Sequence, residues 1–171
     1  EVHKGELAPY DLPFEYFILY VGQQPDYKNL RRLAQAHQKL LEKYPKLGLV
    51  FVGRMNRDTQ INKDFYDKQG YKNIHFTGFL PDEQRDWLYT KTLAYVFPSL
   101  MEGFGLPPLE AMAYGTPVIS SNTSCMPEIL GDAAIYFDPL KVDDIAEKIE
   151  LVINDEKLRA ELALKGNAQV A

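Results

Sequence analysis

Short apolar runs alternate along the chain with longer stretches in which apolar residues recur at helical spacing. Residues 17–21 form a continuous apolar run that ends at Gly22, which is typical of a strand buried on both faces. After a polar turn, leucines recur every three or four positions and predict a helix over about 28–43. The two patterns then continue to alternate through the rest of the sequence.

Five further strands are predicted at 47–53, 74–77, 93–97, 117–120 and 134–137. Six further helices are predicted at 58–69, 81–90, 106–114, 126–130, 142–153 and 155–169. Strands that alternate with helices favour a parallel sheet covered by helices on both faces. With right-handed crossovers, this is an α/β, doubly wound, Rossmann-like domain, whose ligands bind outside the carboxyl ends of the strands.

Length and composition fit one folded domain spanning residues 1–171. Of the 171 residues, 46% are hydrophobic and 25% are charged, which excludes a disordered or low-complexity chain. Nineteen basic residues against 24 acidic ones give a formal net charge of -5. Because duplex binding depends on neutralising phosphates with basic residues, no nucleic-acid partner is expected.

The sequence gives no indication of a metal site, an intramolecular disulfide or a transmembrane segment. The single cysteine, Cys125, excludes an intramolecular disulfide and a multi-cysteine zinc site. His3, His37 and His75 are not spaced like metal ligands, so no metal site is expected. No run approaches the length of a transmembrane segment. Since there is no initiator Met and the last residues read as helix, we expect a piece of a longer protein.

The loops expected at the carboxyl ends of the strands lack two common phosphate-binding motifs. The loop after the first strand, 22–29, contains one glycine, whereas the dinucleotide-binding G-x-G-x-x-G motif needs several for close backbone approach. The Walker motif of P-loop NTPases is also absent. Ordinary dehydrogenases and P-loop NTPases are therefore disfavoured.

The segment 98–115 carries the strongest chemical signal. Glu102 stands just before two glycines, Gly103 and Gly105, and Glu110 follows eight positions later in the predicted helix. The glycines permit close approach of a ligand, and free amides at a helix start can hold an anion. Carboxylates accept hydrogen bonds from diols. The pattern suits a nucleotide sugar, and on these residues alone a purely structural turn is an equal alternative.

The stretch 97–119 closely resembles the E-x7-E region of family 4 (GT4) glycosyltransferases, and the resemblance continues to Pro139. Upstream, four short segments keep the order and spacing of that family: 20–22, 28–30, 51–53 and 76–79. The resemblance covers about 17–165 and is strongest to the mannosyltransferase-B-like subgroup.

The resemblance implies a retaining, metal-independent enzyme of the GT-B type, in which two Rossmann-like domains face a cleft. This chain is similar to the C-terminal, donor-binding domain, and the N-terminal domain that makes most acceptor contacts lies outside it. The implied donor is a nucleotide diphosphate hexose, with GDP-mannose favoured and a UDP-sugar as the second option. The implied acceptor is a glycan or a lipid-linked precursor. The implied location is cytoplasmic, with the inner face of a membrane as an option for the longer protein.

Carried over residue by residue, the resemblance makes Glu102 and Lys28 the catalytic pair. Glu102 would hydrogen-bond the donor sugar, and Lys28 would contact the diphosphate. Glu110 would bind the ribose hydroxyls, and Phe79 would lie near the nucleobase. The remaining implied donor contacts are mainly backbone groups: Gly22, Gly53, Gly103, Phe104, Gly105 and Leu106.

One position departs from the family pattern. The family often places an arginine directly after the first Val-Gly, where this chain has Gln23. Arg54, which follows Gly53, is the nearest cation that could substitute for it.

Two alternatives remain open at this stage. One is another GT-B enzyme, such as a sugar-nucleotide epimerase or a glycogen-synthase-like chain. The other is a non-catalytic Rossmann-like domain kept for assembly with a partner. By itself, the domain is expected to bind nucleotide weakly and to have little transferase activity, because half of the cleft is absent.

Overall fold

The computed structural model describes residues 5–104 and 106–171, and a parallel sheet of six strands forms its centre. The strands are β1 (Phe17–Val21), β2 (Gly48–Val52), β3 (Ile74–Phe76), β4 (Ala94–Phe97), β5 (Val118–Ser121) and β6 (Ala134–Phe137). The helices are α1 (Leu30–Leu40), α2 (Arg57–Lys68), α3 (Asp82–Lys91), α4 (Leu106–Ala113), α5 (Met126–Leu130), α6 (Val142–Ile153) and α7 (Glu156–Val170). Every strand and helix predicted from the sequence is confirmed, with small shifts at the ends.

The strand order is β3-β2-β1-β4-β5-β6, and all neighbouring strands are parallel. Leu19 in β1 is aligned with Val50 on one side and with Tyr95 in β4 on the other. The chain leaves β1 towards β2 and leaves β4 towards β5, so the connections diverge between these two central strands. This is the topological switch point of a doubly wound sheet, where ligands bind at the carboxyl ends. The predicted Rossmann-like fold is confirmed.

The strands are buried because helices cover the sheet. Every residue of β2 and of β4 is buried, which explains their continuous apolar sequences. Helix α1 packs against α6, and α4 packs against α7. In α1, Leu33, Ala34 and His37 lie on the buried side, so the apolar spacing seen in the sequence does face the core. No helix in the described part of the chain combines the length and apolarity that crossing a bilayer requires.

Aromatic side chains form a connected layer within the core. The rings of Phe51 and Tyr66 stack with centroids 6.1 Å apart, and Tyr20 stacks on Tyr95 at 6.4 Å. The Tyr95 hydroxyl donates a hydrogen bond of 3.2 Å to the carbonyl of Val21. The buried Tyr66 hydroxyl, in contrast, has no hydrogen-bond partner among the residues that the structure describes. A buried polar group without a partner is destabilising.

Tyr66→Phe is therefore expected to raise the free energy of unfolding by about 1 kcal/mol, since it removes only the unpartnered hydroxyl. Urea denaturation of the two proteins measures the difference. Tyr95→Phe is the matched control, and it should lower stability because it removes a bonded hydroxyl from the same layer. A Tyr66→Phe protein less stable than the parent would contradict this account.

Candidate functional site

Two loops at the switch point bring together a lysine and a glutamate that are distant in sequence. The loop after β1 forms a short 3-10 turn, Asp26–Lys28, before α1 begins. The loop after β4 carries Glu102. The Lys28 ammonium forms a hydrogen-bonded ion pair with Oε1 of Glu102. The two residues predicted to be catalytic are thus in direct contact at the edge where doubly wound sheets bind ligands.

The surroundings of this pair restrict water without sealing it off. Each of the two side chains is 13% exposed. The Lys28 ammonium also lies 5.1 Å from the ring centre of Tyr27 and 5.3 Å from that of Phe97, distances at which an aromatic face attracts a cation. Because screening is reduced there, the pair interacts more strongly than an exposed pair such as Lys39 with Asp143.

Three side chains without a predicted role hold Glu102 in place. The buried Ser99 hydroxyl lies 3.0 Å from Oε1 of Glu102. The Ser124 hydroxyl donates to the Glu102 carbonyl at 2.8 Å, and the Cys125 thiol approaches the same carbonyl at 3.2 Å. The loop after β5 therefore fixes the backbone of Glu102, and Ser99 orients its carboxylate. Ser99 and Ser124 were missed because only their position relative to Glu102 distinguishes them from other loop serines.

Gly22 and Gly53, two of the predicted donor contacts, lie against each other at the ends of β1 and β2. Gly53 has φ of 155°, and a Cβ built on it would lie 2.6 Å from the carbonyl oxygen of Gly22. The Gly22 amide donates to the Val52 carbonyl at 2.9 Å. Only glycine at position 53 permits this close approach.

Arg54 and Phe79 form a second contact, on the loops after β2 and β3. The Arg54 guanidinium lies 5.3 Å from the ring centre of Phe79, and Phe79 is 66% exposed. Within the described part of the chain, no carboxylate forms an ion pair with Arg54. The pair thus presents an exposed aromatic ring together with a positive charge.

The start of α4 presents exposed groups beside the Glu102 loop. Phe104 and Leu106 are exposed, as is Gly103 in the bend before them. Gly105, a predicted donor contact, lies outside the described residues. Helix α4 begins at Leu106, and its first turn contains two prolines, which lack amide hydrogens.

Glu110 does not join the pair formed by Lys28 and Glu102. It is exposed on α4, and its carboxylate lies near Tyr89 of α3. Burial raises the pKa of Tyr89 above its usual value, and the negative charge of Glu110 raises it further. The structure therefore brings Lys28 and Glu102 together and leaves Glu110 as a separate carboxylate that is exposed to solvent.

Over the described ranges, no cluster of three His, Cys, Asp or Glu side chains could hold a metal ion. The polar groups described at this edge include a lysine, an arginine and carboxylates. Such groups can bind a ligand that carries both anionic and hydroxyl groups.

Comparison with known families identifies the domain. The model of the family described as glycosyl transferases group 1 matches residues 12–169. The chain belongs to this family. The resemblance to glycosyltransferases seen in the sequence is confirmed.

Named relatives support the same assignment. The chain is 35% identical over 167 residues to the O-antigen chain mannosyltransferase B of Escherichia coli, covering 95% of this chain and 43% of that protein. It is also 35% identical over 170 residues to the serotype-specific mannosyltransferase WbdA of Escherichia coli, covering 95% of this chain and 20% of the relative. The chain thus spans less than half the length of these curated relatives.

A solved structure is similar to this chain over most of its length. The crystal structure of the C-terminal domain of the group 1 glycosyl transferase LpcC from Francisella tularensis matches with a TM-score of 0.81 and 31% identity. The match covers 93% of this chain and 86% of that one. A related group 1 domain has therefore been crystallised as an isolated unit of similar extent.

Proposed function

We propose that this chain is the donor-binding domain of a mannosyltransferase, which transfers mannose from a nucleotide diphosphate sugar to a glycan or lipid-linked acceptor. Family membership and the two mannosyltransferase relatives support the reaction class. The relatives are more than twice as long as this chain, which supports a second domain that supplies most contacts to the acceptor. GDP-mannose is the favoured donor, and a UDP-sugar is the alternative.

The pairing of Lys28 with Glu102 at the switch point carries this proposal. In a nucleotide diphosphate sugar, a doubly charged diphosphate is linked directly to a sugar ring that carries several hydroxyl groups. A cation and a carboxylate in contact offer one partner to each half, because ammonium groups bind phosphate and carboxylates accept hydrogen bonds from hydroxyls. When the donor binds, the Lys28 ammonium turns to the diphosphate and Glu102 accepts from the sugar.

The same arrangement favours the chemical step. As the bond between sugar and diphosphate breaks, positive charge develops on the sugar ring and negative charge on the leaving diphosphate. Lys28 and the backbone amides of Phe104 and Leu106 would stabilise the leaving group, and the Glu102 carboxylate would face the sugar. Preorganised groups of this kind lower the barrier because they need no reorganisation during the reaction. We propose that these groups suffice without a metal ion and that the transfer retains the anomeric configuration.

Other residues would hold the nucleoside. The exposed Phe79 ring offers a stacking surface for the base, and Arg54 beside it supplies the positive charge that Gln23 does not. Glu110 would accept hydrogen bonds from the ribose diol. Its exposure on α4 supports this role.

Calorimetric titration of the chain with GDP, UDP and ADP tests the proposal directly. GDP is expected to bind most tightly, and the affinity should not change when EDTA is added. Lys28→Met is expected to weaken GDP binding at least about tenfold, the equivalent of one charged hydrogen bond.

Lys39→Met is the matched control, because Lys39 also pairs with a carboxylate but lies at the exposed contact of α1 with α6. This variant should bind GDP like the parent chain. Selective binding of UDP would identify a UDP-sugar as the donor and would still support the role of a donor-binding domain. Absence of binding to every nucleotide, or equal affinity in Lys28→Met, would refute the proposal.

A further inference from the structure

Asn29, the residue that follows Lys28, makes hydrogen bonds to three parts of the chain. Its side-chain amide donates to the carbonyl of Pro98 at 3.0 Å and to that of Pro139 at 2.7 Å. Its side-chain oxygen accepts a hydrogen bond of 2.8 Å from Arg32. The side chain is buried, and both of its donors and its acceptor are used.

This role differs from that of an ordinary helix cap. A capping asparagine accepts a hydrogen bond from an amide in the first turn of its helix, as Asn56 does from Thr59 at the start of α2. Asn29 stands at the same position before α1, yet its side chain makes no capping bond. Instead, it has a left-handed backbone with φ of 62°, a conformation that asparagine tolerates better than most residues. Its side chain is therefore directed towards neighbouring loops rather than its own helix.

The loops that Asn29 connects are those of the candidate site. Pro98 opens the loop that carries Glu102, and Pro139 lies in the loop after β6. The loop of Lys28 and the loop of Glu102 are joined again where the Leu100 amide donates to the Tyr27 carbonyl at 2.8 Å. Asn29 and this bond together hold the backbones on either side of the ion pair at a set separation.

We infer that Asn29 is a positioning residue, which places Lys28 against Glu102 by tying the loop after β1 to the loops after β4 and β6. The expected effect on nucleotide binding rests on the proposed donor-binding function, but the position of the Lys28 side chain can be measured without a ligand. The Lys28 side chain lies beside the rings of Tyr27 and Phe97. Ring currents from these two aromatics shift its NMR signals, so the spectrum of lysine labelled with ¹³C reports where Lys28 lies.

Asn29→Asp is the test variant, because aspartate has the same shape and also tolerates the left-handed conformation. It replaces both amide donors with an acceptor that faces two carbonyl oxygens. We expect the Lys28 signals, assigned by their loss in Lys28→Met, to move to the positions of exposed lysines. We also expect the affinity for GDP to fall about tenfold, in line with the loss of buried hydrogen bonds.

Asn73→Asp is the matched control. Asn73 also has a left-handed backbone, with φ of 60°, and its side-chain amide also donates to a proline carbonyl, that of Pro45 at 2.9 Å. It precedes β3 at the opposite end of the sheet, and its variant should leave both the Lys28 signals and GDP binding unchanged. If Asn29→Asp does not fold, Asn29→Gly keeps the left-handed backbone and removes the same donors without adding charge.

The two readouts separate the inference from the function on which it rests. Unchanged Lys28 signals in the folded Asn29 variant would overturn the positioning role. Failure of the parent chain to bind any nucleotide would overturn the proposed function, and the lysine spectra would still decide whether Asn29 positions Lys28. Displaced Lys28 signals together with weakened GDP binding would support both.

Discussion

Gly53→Ala is expected to lower the free energy of unfolding by about 4 kcal/mol, the sum of backbone strain and a steric clash. At φ of 155° an alanine is strained, and its Cβ would lie 2.6 Å from the carbonyl oxygen of Gly22. That oxygen belongs to the backbone at the end of β1, so relief requires the ends of β1 and β2 to separate. The same movement would displace the loop that carries Lys28, and GDP binding should weaken as well.

Gly70→Ala separates strain from the clash. Gly70 also has a positive φ, 69°, but a Cβ there would meet nothing within 4 Å. This control should lose only about 1 kcal/mol, the usual penalty of a left-handed alanine. Chemical denaturation of both variants gives the comparison. Equal losses in the two proteins would show that the contact between Gly22 and Gly53 does not constrain the fold.

A second large effect is expected from pH, through the buried His37. Its Nε2 lies 2.9 Å from the carbonyl of Leu47, and its Nδ1 lies 3.1 Å from the side-chain amide of Gln38. Gln38 is itself oriented by two hydrogen bonds with the Lys72 backbone, so its amide nitrogen faces the ring. The ring is therefore neutral, donating from Nε2 and accepting at Nδ1, and a second proton would oppose the Gln38 donor.

Burial lowers the pKa of His37 from 6.5 to about 4, partly offset by the hydrogen bond to Leu47. Between these two values the unfolded chain binds a proton that the folded chain excludes, so stability falls as the pH falls. Above pH 6.5 the exclusion of this proton costs the folded state nothing. By the time the pH reaches about 4, the free energy of unfolding has fallen by about 3 kcal/mol.

Denaturation midpoints measured from pH 7 down to pH 4 test this expectation with His37→Gln, which removes the titrating group. This variant should lose most of the pH dependence in that interval. His75→Gln is the control: burial lowers the pKa of His75 as well, but His75 is only partly buried and is hydrogen-bonded to Tyr10. An unchanged pH slope in His37→Gln would contradict the assignment.

The sequence alone determined the elements of the fold and the family. Helix and strand periods are local properties, so the runs at 17–21 and 142–153 predicted β1 and α6 without knowledge of their neighbours. The alternation of these elements then left a parallel, doubly wound sheet as the simplest arrangement. The stretch 97–119 carried the resemblance to the glycosyltransferase family, because a motif is read along the chain.

Tertiary structure alone decided which side chains meet. Lys28 and Glu102 are separated by 74 residues, and only the adjacency of β1 and β4 brings their loops into contact. The role of Asn29 depends on the same adjacency, since its partner Pro98 lies on the loop after β4. Hydrogen bonds and steric contacts act over a few ångströms, whereas sequence patterns describe only residues that are close along the chain. The sequence therefore identifies the residues of the site, and the fold determines how they are arranged in space.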